Sequence, residues 1–343
     1  MNRFLDPLTE PTPLPQERRN YDTADLMAHY APHWGHPNKR IVYELACPVG
    51  SVHSGRLGYS RWPAQPLPQG LGPFRPGLLA SVPGFYDYAI SADPAKTVEW
   101  HLNFADPHLF AAYAGPLFAQ DEMQVAEHPA LGALREQLKA EGLATRTVDQ
   151  AGPTPVLVSG VERRVTISSE PDISSGRPRG LYGHEFAAAS PQAVSRAVRR
   201  IEPPSISNLI ALAAPYPGRG HYDRATIESI LVTAYTGFAA ARLESVRLRL
   251  ESPSVSAIVH SGYWGCGAFG GNRILMVLLQ VIAARMAGLD RLVIHTGRPG
   301  GAAPFTEAAA MFSDLARITD LGTADLISVL VDQAFAWGAS DGN

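Results

Sequence analysis

Gly265-Cys266-Gly267-Ala268-Phe269-Gly270-Gly271 sets four glycines after a β-branched apolar run, Val255 to Val259, and before an apolar stretch from Asn272 to about Ala287. The chemistry such a loop offers is anion binding. Missing side chains let a ligand approach the main chain, and the first-turn N–H groups and dipole of the following helix favour negative charge. A phosphate or diphosphate is the natural guest. The spacing also fits G-x-G-x-x-G, which brings nicotinamide and flavin enzymes into consideration. That pattern wants an acidic residue about 20 positions on, at the end of the second strand. Here the strand ends His295-Thr296-Gly297-Arg298 instead. The Walker pattern is absent too, since no Gly-Lys-Ser/Thr follows the loop.

The elements that must position this loop can be read from periodicity. Val255 to Val259 is a strand, Asn272 to about Ala287 a helix that Gly288 stops, and Leu292 to His295 a second strand, making one βαβ unit. Upstream, Val98 to Phe104 alternates as a strand ended by Ala105-Asp106. Leu117 to His128 is helical up to the residue before Pro129. Two acids, Asp121 and Glu122, open that helix, where carboxylates favour the dipole whether or not they do chemistry.

Trp264-Gly265-Cys266-Gly267-Ala268-Phe269-Gly270-Gly271 resembles the diphosphate loop of the poly(ADP-ribose) glycohydrolase family, macrodomain enzymes that cut ADP-ribose linkages. The family also ends a strand in Asp-Phe-Ala-Asn, follows it with three glycines, and presents Gln-Glu-Glu with the second glutamate as catalytic acid. This chain has Asn103-Phe104-Ala105-Asp106 and Gln120-Asp121-Glu122, with Ala114-Gly115-Pro116 near the place of the triple glycine. The resemblance implies that Glu122 is the acid, with Asp121 beside it. It implies Asp106 where the family has a neutral amide near the ribose. It implies that Gly265, Cys266, Gly267, Ala268, Phe269, Gly270 and Gly271 bind substrate, Phe269 shaping the pocket against the ribose, and that Asn103 and Gln120 contribute. Tyr182 is the nearest match to the family's adenosine-contacting tyrosines. Arg298 stands near the place of its adenine-stacking ring. His184 and Glu185 read better as a structural pair.

Leaving-group chemistry separates two substrates. A ribose–ribose link expels an alkoxide and needs a general acid of raised pKa, whereas an arginine-linked ADP-ribose leaves from a guanidinium that already carries its proton. Three acids, Asp106, Asp121 and Glu122, suit the second task, as negative charge around a cation and an oxocarbenium-like ribose. The expectation is therefore an ADP-ribosyl hydrolase of the branch that removes mono-ADP-ribose from arginine. Poly(ADP-ribose) glycohydrolase activity is the alternative, and a non-catalytic ADP-ribose reader a further one. No cofactor and no metal is called for.

The 343 residues, 45% hydrophobic, suffice for a large core, and a net charge of −3 with scattered Lys and Arg gives no footprint for nucleic acid. Two cysteines, Cys47 and Cys266, suit a reducing compartment, and neither a signal peptide nor a membrane span is visible. The partners expected are ADP-ribose or an ADP-ribosylated protein, in the cytoplasm or after export without a classical signal. The oligomeric state is left open. The fold class is α/β, a macrodomain-like three-layer α/β/α arrangement with a mixed central sheet plus an N-terminal accessory region. Residues 1–20 read as a proline-rich lead-in, 21–96 as the accessory layer, 97–337 as the ADP-ribose glycohydrolase domain and 338–343 as a tail. Within that domain Val156 to Gly160 reads as a strand followed by a polar loop to Gly180, Leu209 to Ala214 as a further strand, and His221 to about Leu243 as a helix.

Overall fold

The computed structural model describes residues 13–89, 91–249, 251, 254–317 and 321–342. In chain order the elements are β1 (Glu17–Asp22), α1 (Thr23–His29), α2 (Pro37–Ala46), β2 (Arg56–Arg61), β3 (Leu79–Val82), β4 (Thr97–Ala105), α3 (Gln120–Glu127), α4 (Ala130–Ala140), β5 (Val148–Asp149), β6 (Gly152–Pro153) and β7 (Val156–Ile167). There follow α5 (Glu185–Ala188), α6 (Pro191–Ala197), β8 (Val198–Ala213), α7 (Arg224–Leu248), β9 (Ser256–Ser261), α8 (Arg273–Met286), β10 (Arg291–His295), α9 (Ala302–Ala316) and α10 (Thr323–Asp332).

Eight strands form one mixed sheet in the order β1-β2-β7-β8-β4-β9-β10-β3. The run from β8 to β3 is parallel and the run from β1 to β8 antiparallel. Side-chain alternation assigns the two faces. Val98, Trp100 and Leu102 of β4, Ala257 and Val259 of β9, and Leu292 and Ile294 of β10 point into a core shared with α7, α8, α9 and α10. Ala105, Val158, Leu209 and Ala211 point the other way, into a core shared with α1 and α4, while α2, α3 and α6 close a third cluster beside it. The result is helix, sheet, helix. In α8 every residue from Leu275 to Ala284 is buried, because the helix lies between the sheet, α7 and α9.

The sheet departs from the sequence expectation in instructive places. Residues 21–96 are no separate layer: β2 and β3 are strands of the central sheet, and β1 begins at Glu17, inside the stretch read as lead-in, and runs on to Asp22. Residues 1–12 of that lead-in lie outside the described residues. β7 continues to Ile167 through a stretch read as a polar loop. Its arginines enter a strand because each finds a buried partner: Arg163 Nε lies 2.8 Å from Glu127 Oε2, and Arg164 Nη1 2.6 Å from Glu162 Oε2. β8 likewise begins at Val198, well before Leu209. Residues 338–342, read as a tail, are bonded to the glycine loop.

Candidate active site

The carboxyl ends of β8, β4, β9 and β10 lie at one edge of the sheet, where ligands bind in open α/β folds. The glycine loop leaves β9 there. Trp264, wholly buried, anchors it by donating its indole N–H to the Leu212 carbonyl of β8 at 3.0 Å. Gly265 has φ +73°, and a Cβ on it would sit 2.6 Å from that of Ala214, so no other residue fits.

The hydrogen-bond donors the loop offers differ from the sequence expectation. Asn272 caps α8, its side-chain oxygen accepting the N–H groups of Ile274 and Leu275 at 3.1 Å each. Those first-turn donors are therefore already used. The donors left are in the loop itself: Cys266 N–H goes to Tyr263, Gly270 N–H to Gly267 and Gly271 N–H to Gly265. Among the described residues no acceptor meets the amides of Gly267, Ala268 and Phe269. Three successive free N–H groups can line an anion-binding concavity. The Cys266 thiol takes no part: it donates to the Trp264 carbonyl, and burial pushes its pKa up to about 12. Phe269 is half-buried and tilts against Tyr216, ring centroids 5.6 Å apart.

The acids stand on α3, which starts beside the end of β4. Gln120 is the clamp. Its side-chain oxygen accepts Phe104 N–H at 2.7 Å and its Nε2 donates to the Leu102 carbonyl at 3.0 Å, so both amide atoms are tied to the strand, each with one hydrogen-bonding position left. Asp121 and Glu122 are 6% and 4% exposed, unusual for adjacent carboxylates. Asp121 faces β4 and accepts the Asn103 Nδ2–H at 3.0 Å, while Glu122 accepts Ala119 N–H at 3.0 Å. Burial, and next the charge of Glu122, raise the Asp121 pKa far above the carboxylate range, against the opposing pull of Asn103 and Lys39. Asp121 thus holds its proton to higher pH than an ordinary carboxyl. The Asn103 Oδ1 is buried without a donor among the described residues, and a protonated Asp121 is the neighbour with one to give.

Lys39 was not legible as a site residue. It comes from α2 and is wholly buried, its Nζ donating to the Tyr113 carbonyl at 2.8 Å and lying 5.1 Å from the Phe118 ring centre. Burial pulls its pKa down to about 8, and Glu122 and Asp121 push the other way. The only signal in the sequence is phase: Asn38, Lys39, Val42 and Ala46 form the buried stripe of α2, with a cation inside it.

Tyr182 joins acids and loop. Its hydroxyl would lie 3.7 Å from a Cβ on Gly267, and its pKa is raised to about 12 by burial, then by the charges of Asp341 and Glu122. Glu122 is therefore the acid on the loop side of α3, and Asp121 the one backed against β4. Two expected residues, Asp106 and Arg298, have partners of their own while acting electrostatically on Asp121 and Tyr182 respectively. Asp106 accepts the His108 N–H at 2.8 Å and its side chain is 43% exposed, so it closes a turn at the solvent edge while its charge still raises Asp121. Arg298 pairs with Glu170 at 3.2 Å in solvent. His184 is exposed, and Glu185 pairs with Arg179 at 2.8 Å. A cavity of about 410 Å³ beside Pro48, Arg164 and Arg200, and one of about 400 Å³ beside Asn20, Glu99 and Arg249, are not lined by the acids or the loop.

Comparison with known proteins follows the same residues. The catalytic-domain model of poly(ADP-ribose) glycohydrolase (PARG), macro domain fold, matches residues 182–298, from Tyr182 through the glycine loop to Arg298. The acids on α3 lie outside that match. Among solved structures, the chain is similar to the poly(ADP-ribose) glycohydrolase of Thermomonospora curvata, at 15% identity over 87% of this chain and 85% of that one with a TM-score of 0.41. The same enzyme bound to the inhibitor ADP-HPD gives 13%, 87%, 84% and 0.43. The Deinococcus radiodurans enzyme in complex with ADP-ribose gives 10%, 87%, 96% and 0.40. Residues 182–298, which carry both the glycine loop and the tyrosine that joins it to the acids, are thus similar to the macro domain fold of the poly(ADP-ribose) glycohydrolase catalytic domain.

Proposed function

We propose that this protein is an ADP-ribose glycohydrolase, and that it cuts the ribose–ribose link of poly(ADP-ribose) rather than an arginine-linked mono-ADP-ribose. The observation that carries the choice is the burial of two adjacent carboxyls, Asp121 and Glu122, which favours keeping a proton between them. Expelling a ribose alkoxide needs a general acid charged with a proton at working pH, which a pair of crowded carboxyls in a dry site supplies. The arginine reading drew on three acids around a cation, and Asp106 is turned to His108 and half-exposed. With that third acid spent, the case for a guanidinium leaving group weakens. The family match points to the same alternative.

In this reading the free amides of Gly267, Ala268 and Phe269 hold the diphosphate and so fix the ribose between loop and α3. A proton shared between the two carboxyls passes from Glu122, the member on the loop side, to the departing ribose oxygen as the bond from that oxygen to the anomeric carbon breaks. The carboxylate then left at Glu122 stabilises the oxocarbenium-like ribose and takes a proton from the water that adds to it. Asn103 and Lys39 position and charge-balance the pair without touching the sugar.

The test offers each substrate to the purified protein and follows released ADP-ribose. Shortening of the polymer with arginine-linked ADP-ribose untouched is the expected result, and release from the arginine conjugate alone would reverse the assignment. Glu122→Gln should reduce polymer turnover by roughly 10²–10⁴ while leaving ADP-ribose binding within a few-fold, as loss of a general acid does. Equal binding and no turnover in the unmodified protein would make it a reader instead.

A further inference from the structure

Residues 337–342 run back from α10 across the site edge. Trp337 lies flat on Tyr222, ring centroids 4.1 Å apart with 15° between planes, and its N–H donates to the Gly220 carbonyl at 2.9 Å. The Asn272 side-chain amide donates to the Ala336 carbonyl at 2.9 Å, tying the same stretch to the cap of α8. Beyond that anchor the chain crosses the glycine loop. Gly338 N–H donates to the Gly270 carbonyl at 2.8 Å and Asp341 N–H to the Gly267 carbonyl at 3.3 Å.

The fit is close. A Cβ on Gly270 would lie 2.9 Å from Ser340 N and 3.0 Å from the Ala339 carbonyl carbon, and one on Gly267 would lie 3.0 Å from the Asp341 Oδ2. The loop therefore lacks side chains at the places where this segment passes over it. Asp341 also acts on the Tyr182 hydroxyl, the group between loop and acids. A carboxylate is an oxyanion, and it stands beside a loop whose consecutive amides meet no acceptor among the described residues.

We infer that residues 337–342 occupy the ligand site of this protein's own glycine loop: the Asp341 carboxylate stands in for an anion of the substrate, and the diphosphate must displace it. The inference rests on the proposed ADP-ribose reading for the identity of the competitor. Residues 338–342 are exposed and attach to the loop through two main-chain bonds, whereas Trp337 is partly buried on Tyr222. The segment can lift while its root stays in place. A site closed by its own chain binds with an affinity reduced by the fraction of time it is open.

The experiment is calorimetric titration of the full chain and of Asp341→Asn with ADP-ribose and, separately, with inorganic pyrophosphate, together with amide hydrogen exchange. Asn keeps the shape of Asp341 and removes its charge. The expected result is about three- to tenfold tighter binding of both anions by Asp341→Asn, and faster exchange at 338–342 when ADP-ribose saturates the unmodified protein. Equal affinities, or amides at 338–342 that stay protected in the complex, would overturn the inference and leave the ADP-ribose reading standing. Weaker binding by Asp341→Asn would also overturn it, making the segment a wall of the site. Should neither protein bind ADP-ribose, that reading falls, and pyrophosphate decides the segment: tighter binding by Asp341→Asn keeps it as an occupant, and anything else removes it.

Discussion

Asp121, Glu122 and Lys39 form a set whose members do not make sense singly. Two adjacent carboxyls withdrawn from water cannot both ionise cheaply, and a buried ammonium near them is their counterweight. The alkaline limb of the activity profile should therefore lie well above the usual carboxylate range, because activity needs the proton on the pair. Lys39→Met removes the positive charge that pulls the Asp121 pKa down, so this limb should move to still higher pH, read as kcat against pH. A limb unmoved would detach Lys39 from the pair. Asp121 also has a stability consequence. Its folded pKa is raised, so its contribution is fully present below the unfolded value near 4 and is lost as pH rises through the folded one. Asp121→Asn should gain stability over the unmodified protein on going from pH 4 to pH 9, by roughly 1–3 kcal/mol, measured by denaturant unfolding. It should lose turnover at the same time.

The glycine loop works as part of an element, between a strand end that Trp264 pins and a helix whose cap is its own side chain. Helix α8 would need capping in any protein. In this one Asn272 also holds Ala336 and, through its own N–H, the Tyr222 hydroxyl at 3.0 Å. Asn272→Ala should cost about 1–2 kcal/mol of stability and loosen the root of the segment over the loop, seen as faster amide exchange at residues 336–338. Helix α3 shows the same economy. Its register against β4 is set by the two Gln120 bonds, so Gln120→Ala should lower kcat by misplacing Glu122 while the anion loop, which it does not touch, keeps its affinity.

At the scale of the molecule, the face of β4, β9 and β10 opposite the α7–α8 core carries three histidines in a row. His101 stacks on His260 at 4.6 Å with 12° between rings, and His260 Nδ1 lies 3.0 Å from His295 Nε2. Tyr86 and Tyr88 cover them, Tyr88 stacked on His101 at 4.3 Å. Burial, then the neighbouring imidazoles, hold His101 well below its ordinary pKa, and the same causes lower His260 to about 4. The sign follows: a histidine with a depressed folded pKa lends stability that is present above about 6.5 and lost as pH falls toward the folded value. Thermal stability should drop between about pH 6.5 and pH 4, and His260→Gln should flatten that drop, checked by Tm across the range.

The glycine loop, its strand and its helix were legible in the sequence because each is a local matter: a period of two, then residues without side chains, then a period near four, all within about 40 positions. The resemblance of Trp264 to Gly271 and of Gln120-Asp121-Glu122 likewise needed no neighbours. Other parts were invisible because they depend on partners far along the chain. Arg163 and Arg164 read as loop until Glu127 and Glu162 neutralise them inside β7. Lys39 is a surface residue by type and becomes part of the site only when Tyr113 and the acids surround it. Asp106 counted as an acid of the site by position in the motif, and only the fold shows that it also closes a turn with His108 at the solvent edge. The amino-acid sequence by itself determined which chemistry is on offer, an anion loop and a carboxyl pair, because residue type carries pKa class and side-chain size. Only the tertiary structure decided that both carboxyls are withdrawn from water, which amides remain free, and that Asp341 lies over the loop, because desolvation and hydrogen-bond competition exist only between residues that folding brings together.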